Sequence, residues 1–278
     1  MPHRLDGMYA KLKRADFHLD NLKAVVDVFN IKPYRVVCNA NYQRKEVIYH
    51  LKDVAPFPLE GSVIIGEIAY QWRSALDHLA ACMVDNPAGT VTIGTDCEFP
   101  IWLNLLANNG RKYPGRFTDT YNTLSAIIQG KFDDLQPFNP HSKFAQNLHP
   151  LWLLHGINNI DKHRSIHVIN SVTCGDFGIG GNFGVDHMIV NGAASEENAV
   201  LVKFTPIYLP TGKPPITLPQ WIDSLKGTEI DTPSTAQIKF GPGSDQATSL
   251  PVLDTLEAIR AYIYNDVLEP TGLLAEIK

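Results

Sequence analysis

Two stretches of the sequence contain the side chains whose types and spacing could do chemistry. The first, GSVIIGEIAYQWRSALDHLAACM at 61–83, contains Glu67, Arg73, Asp77 and His78. A histidine titrates near neutral pH and can act as a general acid or base, while an arginine can hold a phosphate through two parallel hydrogen bonds. The pattern therefore predicts Arg73 and His78 as a catalytic pair, in which His78 moves a proton and Arg73 binds an anion.

The second stretch, HSKFAQNLHPLWLLHGINNIDKHR at 141–164, provides candidates for supporting or structural roles: Asn159, Asp161, His163 and Arg164. On a helical wheel Asp161 and Arg164 extend the apolar face of this stretch. A charged pair beside an apolar stripe should be partly buried, and buried charges need partners. We therefore expect Asp161 or Asp77 to form an ion pair with Arg73 or Arg164 between the two stretches.

Two other hypotheses use the same residues. A metal-dependent hydrolase could draw its ligands from Glu67, Asp77, His78, Asp161 and His163, which are suitable ligand types. However, the adjacent Asp77 and His78 point about 100° apart on a helix, and HExxH spacing is missing. No metal site is assigned, and no cofactor is expected. In the other hypothesis, the charged residues form a non-catalytic network of ion pairs that fixes the register of two helices.

Helices must position these residues, because apolar side chains recur at helical spacing in both stretches. In the first, one side of the wheel carries Ile65, Ile68, Trp72, Leu76, Leu79 and Met83. In the second, it carries Leu153, Leu154, Ile157 and Ile160. We therefore predict that 61–83 and 144–163 are helices packed side by side.

The rest of the chain predicts an α+β fold: a helical bundle with an antiparallel β-rich section and a closing C-terminal helix. We expect a single domain over residues 1–278, with a helical part at about 1–164 and 250–270 and a β-rich part at about 165–241. Further elements are predicted from spacing and turn residues: a helix from Leu5 to Phe29, a hairpin of strands at 34–38 and 46–51, a proline-rich surface segment at 209–221, and the closing helix at 253–268.

Composition limits the classes of protein. The net charge of −5 and the pI near 6.0 give no overall attraction to nucleic acid or to an anionic membrane. The four cysteines lack CxxC spacing, which argues against a thiolate zinc site or a disulfide framework. No apolar run reaches the length of a membrane span or of a signal peptide, so we expect a cytoplasmic protein without membrane contacts.

Two resemblances follow from these motifs. The segments QWRSALDHLA at 71–80 and LLHGINNIDKHRSIHV at 153–168 resemble a widespread uncharacterised bacterial family, in which an LRSALDHL-like helix precedes an N-x-DKHR-like helix end; the resemblance covers about residues 5–170 and implies no activity. This chain has Trp72 where that family has Leu. The segment from Arg73 to His78 is also similar to the arginine-histidine motif of HEPN-type ribonucleases, although Ser74 replaces their commoner Asn or Asp.

The second resemblance implies metal-independent endoribonuclease or related phosphodiesterase activity, with RNA as the partner. In that family the site is usually built across a dimer, so a homodimer is implied as well. Because this chain is acidic, RNA would need a local basic surface, and the candidates for it are Lys11, Lys13, Arg14, Lys162 and Arg164.

Overall fold

The protein has an α+β fold with a C-terminal helix. The computed structural model describes residues 5–84, 98–103, 121–122, 124–174, 183–190, 196–208, 217–227, 234–269 and 273–276. The chain divides into two compact units, each of which gathers segments that are distant in sequence. The helical unit comprises Met1–Val25, Leu59–His167 and Phe240–Lys278, and the sheet unit comprises Val26–Pro58 and Val168–Lys239.

The helical unit is organised around four helices: α1 (Asp6–Phe29, which continues into the sheet unit from Val26), α2 (Leu59–Val84), α4 (Pro150–His163) and α6 (Val252–Tyr262). Each buries an apolar stripe, such as Ile65, Ile68, Trp72 and Leu79 of α2. Helix α2 packs against α4, and α4 packs against α6. Arg260 of α6 forms an ion pair with Asp16 of α1, and Glu67 of α2 contacts His18 of α1, so the four helices form a closed ring of neighbours.

Side-chain hydrogen bonds fix the ends and connections of these helices. Pro150 is the first residue of α4, and His149 before it accepts a hydrogen bond from the Leu151 N–H at 3.3 Å. The fully buried Gln136, which follows the short helix α3 (Ala126–Asp134), accepts from the Trp102 N–H at 3.0 Å and donates to the Pro100 carbonyl. This side chain thereby holds the extended segment 98–103 inside the unit.

The sheet unit contains a four-stranded antiparallel sheet in the order β1-β2-β5-β4. Its strands are β1 (Arg35–Asn41), β2 (Glu46–Lys52), β4 (Phe183–Val190) and β5 (Val200–Tyr208). A two-stranded sheet pairs β3 (Val168–Cys174) with β6 (Ser234–Phe240). Helix α5 (Leu218–Leu225) contacts β1, and its Leu218 and Ile222 join an apolar core with strand residues that include Val36, Leu51 and Phe204. The alternation of buried residues along the strands produces this one-sided core.

Most element predictions are confirmed, with three differences. The helices predicted at 61–83 and 144–163 exist and touch, but the second begins at Pro150 because proline favours the first helical position. The hairpin forms as predicted, yet it belongs to the sheet unit, since β2 pairs with β5. Helix α5 begins within the predicted surface segment 209–221, with its N-terminus capped by Thr217 and Gln220 in a capping box; residues 209–216 lie outside the described part of the chain.

Candidate functional site

Arg73 is the charged residue around which the candidate site is built. Its side chain lies on α2 with only 11% of its surface exposed. The Nη2 atom is 3.4 Å from a carboxylate oxygen of Asp77, one helical turn away, and 3.8 Å from one of Glu98. The Nη1 atom is buried and has no hydrogen-bond partner within the described residues. The guanidinium therefore keeps a donor for which these residues supply no acceptor.

Asp77 connects Arg73 to the extended segment 98–103. Its carboxylate accepts a hydrogen bond from the Phe99 N–H at 2.9 Å. Burial raises the pKa of Asp77, and the neighbouring Arg73 opposes that rise. The ion pair and the hydrogen bond thus stabilise a carboxylate that its position would otherwise disfavour.

His155 approaches Arg73 from helix α4. Its ring stacks on Trp152 with a centroid distance of 5.3 Å and an interplanar angle of 19°. The Asn159 side-chain nitrogen lies 2.9 Å from Nε2, to which it donates when the ring carries its proton on Nδ1. Burial, with Arg73 and Lys162 adding to it, lowers the pKa of His155 to about 4. The imidazole is therefore neutral at pH 7 beside a cation, held by one stacking contact and one hydrogen bond.

His78 lies on a different side of α2 from Arg73. Its ring is exposed and packs against α1, where a Cβ placed on Gly7 would be 3.2 Å from its Cε1 and Nδ1 atoms. Arg73 faces α4 instead. An ideal helix separates residues five positions apart by about 140°, which accounts for the two directions. The structure does not bring the predicted catalytic pair onto one side of the helix.

Glu67 and Asp161 lie further along α2, away from Arg73. The Glu67 carboxylate lies 3.2 Å from Nδ1 of His18 on α1, whose pKa burial lowers. The Asp161 carboxylate from α4 lies so close to the backbone of Gly66 that a Cβ there would overlap with it. Burial and the charge of Glu67 raise the pKa of Asp161. Glycine at position 66 therefore makes room for this carboxylate between the two helices.

The predicted ion pair between helices is wrong. Arg73 and Asp77 do pair, but within α2, because residues four apart face the same side of a helix. Arg164 is exposed and donates to the Gly243 carbonyl at 2.6 Å, with Asp245 at 3.8 Å. The end of α4 is exposed from Asp161 onward, so His163 and Arg164 lie outside the buried cluster.

Sequence reasoning missed two members of the cluster, His155 and Glu98. The available signal for His155 was a stripe with helical spacing on α4, formed by Trp152, His155, Asn159 and Lys162. Glu98 lies at the start of the extended segment 98–103, and no local sequence pattern predicts that this segment contacts α2. Asn159, predicted to have a supporting role, does lie in the cluster as the partner of His155.

The described residues contain no group of three or more His, Cys, Asp or Glu side chains placed to hold a metal ion. The metal ligands suggested by the sequence are instead distributed around α2, with Asp77 on the α4 side and His78 on the α1 side. None of the described helices combines the length and apolar character needed to cross a bilayer.

Comparison with known proteins gives no relative from which a role could be carried over. No family model, curated protein or solved structure matches this chain.

Proposed function

We propose that this chain cleaves RNA without a metal ion, with Arg73 binding the scissile phosphate. The observation that carries the proposal is the buried guanidinium, whose Nη1 has no acceptor within the described residues, beside a neutral histidine held by Asn159. A phosphate that displaces the exposed Glu98 from the guanidinium can accept from two nitrogens of Arg73, and low exposure strengthens that interaction. The chemistry is that of an endoribonuclease or a related phosphodiesterase.

The geometry favours His155 over His78 as the acid/base group. Burial is the main cause of the lowered pKa of His155, and the charges of Arg73 and Lys162 lower it further. A bound phosphate would offset those two charges and raise the pKa of His155, which favours its role as an acid/base group. His78, which faces α1, lacks this coupling to Arg73 and remains the alternative suggested by the sequence motif.

The proposed step is attack of a ribose 2′-hydroxyl on the adjacent phosphorus. His155 takes the hydroxyl proton on Nε2, where the hydroxyl displaces the Asn159 amide as donor, the 2′-oxygen forms a bond to phosphorus, and the bond to the 5′-oxygen of the next nucleotide breaks. That oxygen receives a proton from water, so the products are a 2′,3′-cyclic phosphate and a 5′-hydroxyl. Arg73 stabilises the negative charge that gathers on the phosphate oxygens in the transition state.

The test is cleavage of labelled single-stranded RNA in the presence of EDTA. We expect His155→Ala to lower the rate by about 10²- to 10⁴-fold while the fold persists, since that is the usual contribution of an acid/base group. His78→Ala and the exposed control His141→Ala should cleave normally. Loss of activity with His78→Ala instead would favour the pair predicted from sequence, and cleavage that EDTA abolishes would favour a metal-dependent hydrolase.

A non-catalytic scaffold or binding protein is the second candidate. It is favoured by the two carboxylates already placed on Arg73 and by the hydrogen bond from Phe99 to Asp77, which together fasten the extended segment to α2. In that case purified protein cleaves no RNA, and substitutions at Arg73 change only the melting temperature.

A further inference from the structure

Helix α2 presents a continuous outer stripe between its two neighbours. The residues of this stripe recur every three or four positions and are exposed or partly exposed: Leu59, Val63, Glu67, Tyr70, Ser74 and His78. On one side the stripe meets α1, through His18 with Glu67 and Gly7 with His78. On the other side it meets α4, through Gly66 with Asp161. A ligand lying on this stripe can contact α1 and still approach the site around Arg73.

Two aromatic rings on this surface are exposed and accompanied by cations. Tyr70 of α2 is 51% exposed, and the Lys11 ammonium lies 5.4 Å from its ring centre. Phe17 of α1 is 52% exposed, and the Arg14 guanidinium lies 5.2 Å from its ring centre. These four residues, Lys11, Arg14, Phe17 and Tyr70, define an aromatic-basic surface. Exposed rings interleaved with basic groups are the combination that binds unpaired bases and their phosphates.

Two acidic side chains near this surface have partners of their own. The Glu67 carboxylate contacts His18, whose pKa burial lowers, and Asp16 is bound by Arg260 at 2.7 Å and by the Tyr264 hydroxyl at 2.7 Å. The exposed Asp6 and Asp20 lie toward the two ends of the patch. Among the described residues no ion pair joins Lys11 or Arg14 to an acid, so both cations can contact the phosphates of a strand.

We propose that the aromatic-basic surface, made of Lys11, Arg14, Phe17 and Tyr70, binds a single strand of RNA. Bases stack on Tyr70 and Phe17, and the phosphates between them contact the two basic side chains. The choice of RNA among polyanions rests on the proposed function. The surface extends that function by giving the strand a docking place on α1 and α2, outside the cluster around Arg73.

The test measures binding of a fluorescent 2′-O-methyl oligouridylate, which lacks the attacking hydroxyl and so reports affinity whether or not the protein cleaves RNA. We expect Tyr70→Leu and Phe17→Leu each to weaken binding by about tenfold, because stacking of one base is lost. The double variant Lys11→Gln/Arg14→Gln should reduce the slope of log affinity against log salt by about 1.4, as two phosphate contacts disappear.

A matched control comes from the turn of the β1–β2 hairpin, where an exposed aromatic ring also adjoins two exposed cations. The triple variant Tyr42→Leu/Arg44→Gln/Lys45→Gln removes the same kinds of group from the sheet unit and should bind as the wild type does. The proposal would be overturned if the surface variants and the hairpin variant lost the same amount of affinity for the oligouridylate. It would also be overturned if none of them lost affinity. The third contradicting outcome is a poly-glutamate peptide that binds as tightly as the oligouridylate and is weakened by the same surface variants. That result would show that the surface binds acidic protein segments rather than RNA.

These outcomes separate the docking surface from the catalytic proposal. Binding that depends on Tyr70 and Phe17 without any cleavage of normal RNA would refute the catalytic proposal alone. Cleavage that depends on His155, combined with unchanged affinity in every surface variant, would refute the docking surface alone.

Discussion

The two flanks of helix α2 place similar residue types in different electrostatic environments. On the flank facing α4, Arg73 is largely withdrawn from solvent, and its charge adds to the burial that lowers the pKa of His155 to about 4. On the flank facing α1, His78 is exposed and lies against Gly7. The ring of His155 is instead partly buried and stacked on Trp152. The two histidines thus differ in their exposure and in the groups that pack against them.

This difference affects what each flank can do. Charges interact more strongly where water is excluded, so a phosphate entering the α4 flank would strongly change the protonation of His155. A charge near His78 is screened by solvent. We therefore propose the α4 flank for the chemical step and the α1 flank for the docking of the strand.

The largest expected effect comes from replacing Arg73. Arg73→Ala should lower RNA cleavage by about 10²- to 10³-fold, the usual consequence of losing a group that stabilises transition-state charge. It should also destabilise the fold by about 1–3 kcal/mol, because it leaves Asp77 partly buried without its cation. Arg73→Lys keeps the charge and should restore most of the stability but little of the cleavage, since an ammonium lacks the bidentate geometry.

The measurements are single-turnover cleavage rates and thermal melts, with His78→Ala as the comparison from the other flank. His78 is exposed, so its removal should change stability by less than about 0.5 kcal/mol. If Arg73→Ala melted like the wild type, the ion pairs of Arg73 would be dispensable. If it cleaved like the wild type, another group would have to bind the phosphate.

A smaller effect is expected in the pH dependence of stability. The pKa of His155 in the folded protein is about 4, below its ordinary value of 6.5, so between these values the unfolded chain binds the proton more readily. Stability due to the neutral ring is therefore fully present above pH 6.5 and is lost as the pH falls toward 4. His155→Gln should reduce this loss by up to about 1.4 kcal/mol per pH unit within that window.

Urea unfolding at several pH values between 4 and 7 measures this effect. His141→Gln is the control, because that histidine is exposed. Both the wild type and His155→Gln retain a second group that makes stability depend on pH, because burial also lowers the pKa of His149 to about 4. Parallel curves for the wild type and His155→Gln would show that His155 is not held neutral by the fold.

Local periodicity was sufficient to predict α1, α2, most of α4, α6 and the hairpin, but not α5, because the burial of one face leaves a regular trace in a long element. The stripe from Ile65 to Leu79 predicted α2 and the face that it buries. The i, i+4 spacing of Arg73 and Asp77 allowed a pair within the helix, and that pair forms. Asn159 was identified as a supporting residue and does contact the cluster.

The remaining features depend on which elements become neighbours, and periodicity holds no such information. A helical wheel places Arg73 and His78 about 140° apart but does not show that one faces α4 and the other α1. Pairing of β2 with β5 joins residues about 150 positions apart, so the hairpin's place in a larger sheet had no local signal. The sequence did not show that His155 lies near Arg73, whose charge adds to the lowering of its pKa by burial.

The smallest expected effect tests the α1 flank. Gly7→Ala should raise helix stability, since alanine favours a helix over glycine by up to about 1 kcal/mol in a helix interior and by less near an end. The new Cβ would lie 3.2 Å from the His78 ring, which is exposed and can turn aside.

Gly130→Ala in α3 isolates the helix propensity, because a Cβ there meets no atom within 4 Å. If Gly7→Ala stabilises the protein less than Gly130→Ala does, two causes contribute to the difference: the contact of the new Cβ with His78 and the weaker effect of helix propensity near the helix end. Repeating Gly7→Ala in a His78→Ala background separates these contributions. Cleavage should be unchanged in Gly7→Ala if His155 carries the chemistry, whereas a clear loss of cleavage would return the catalytic role to His78.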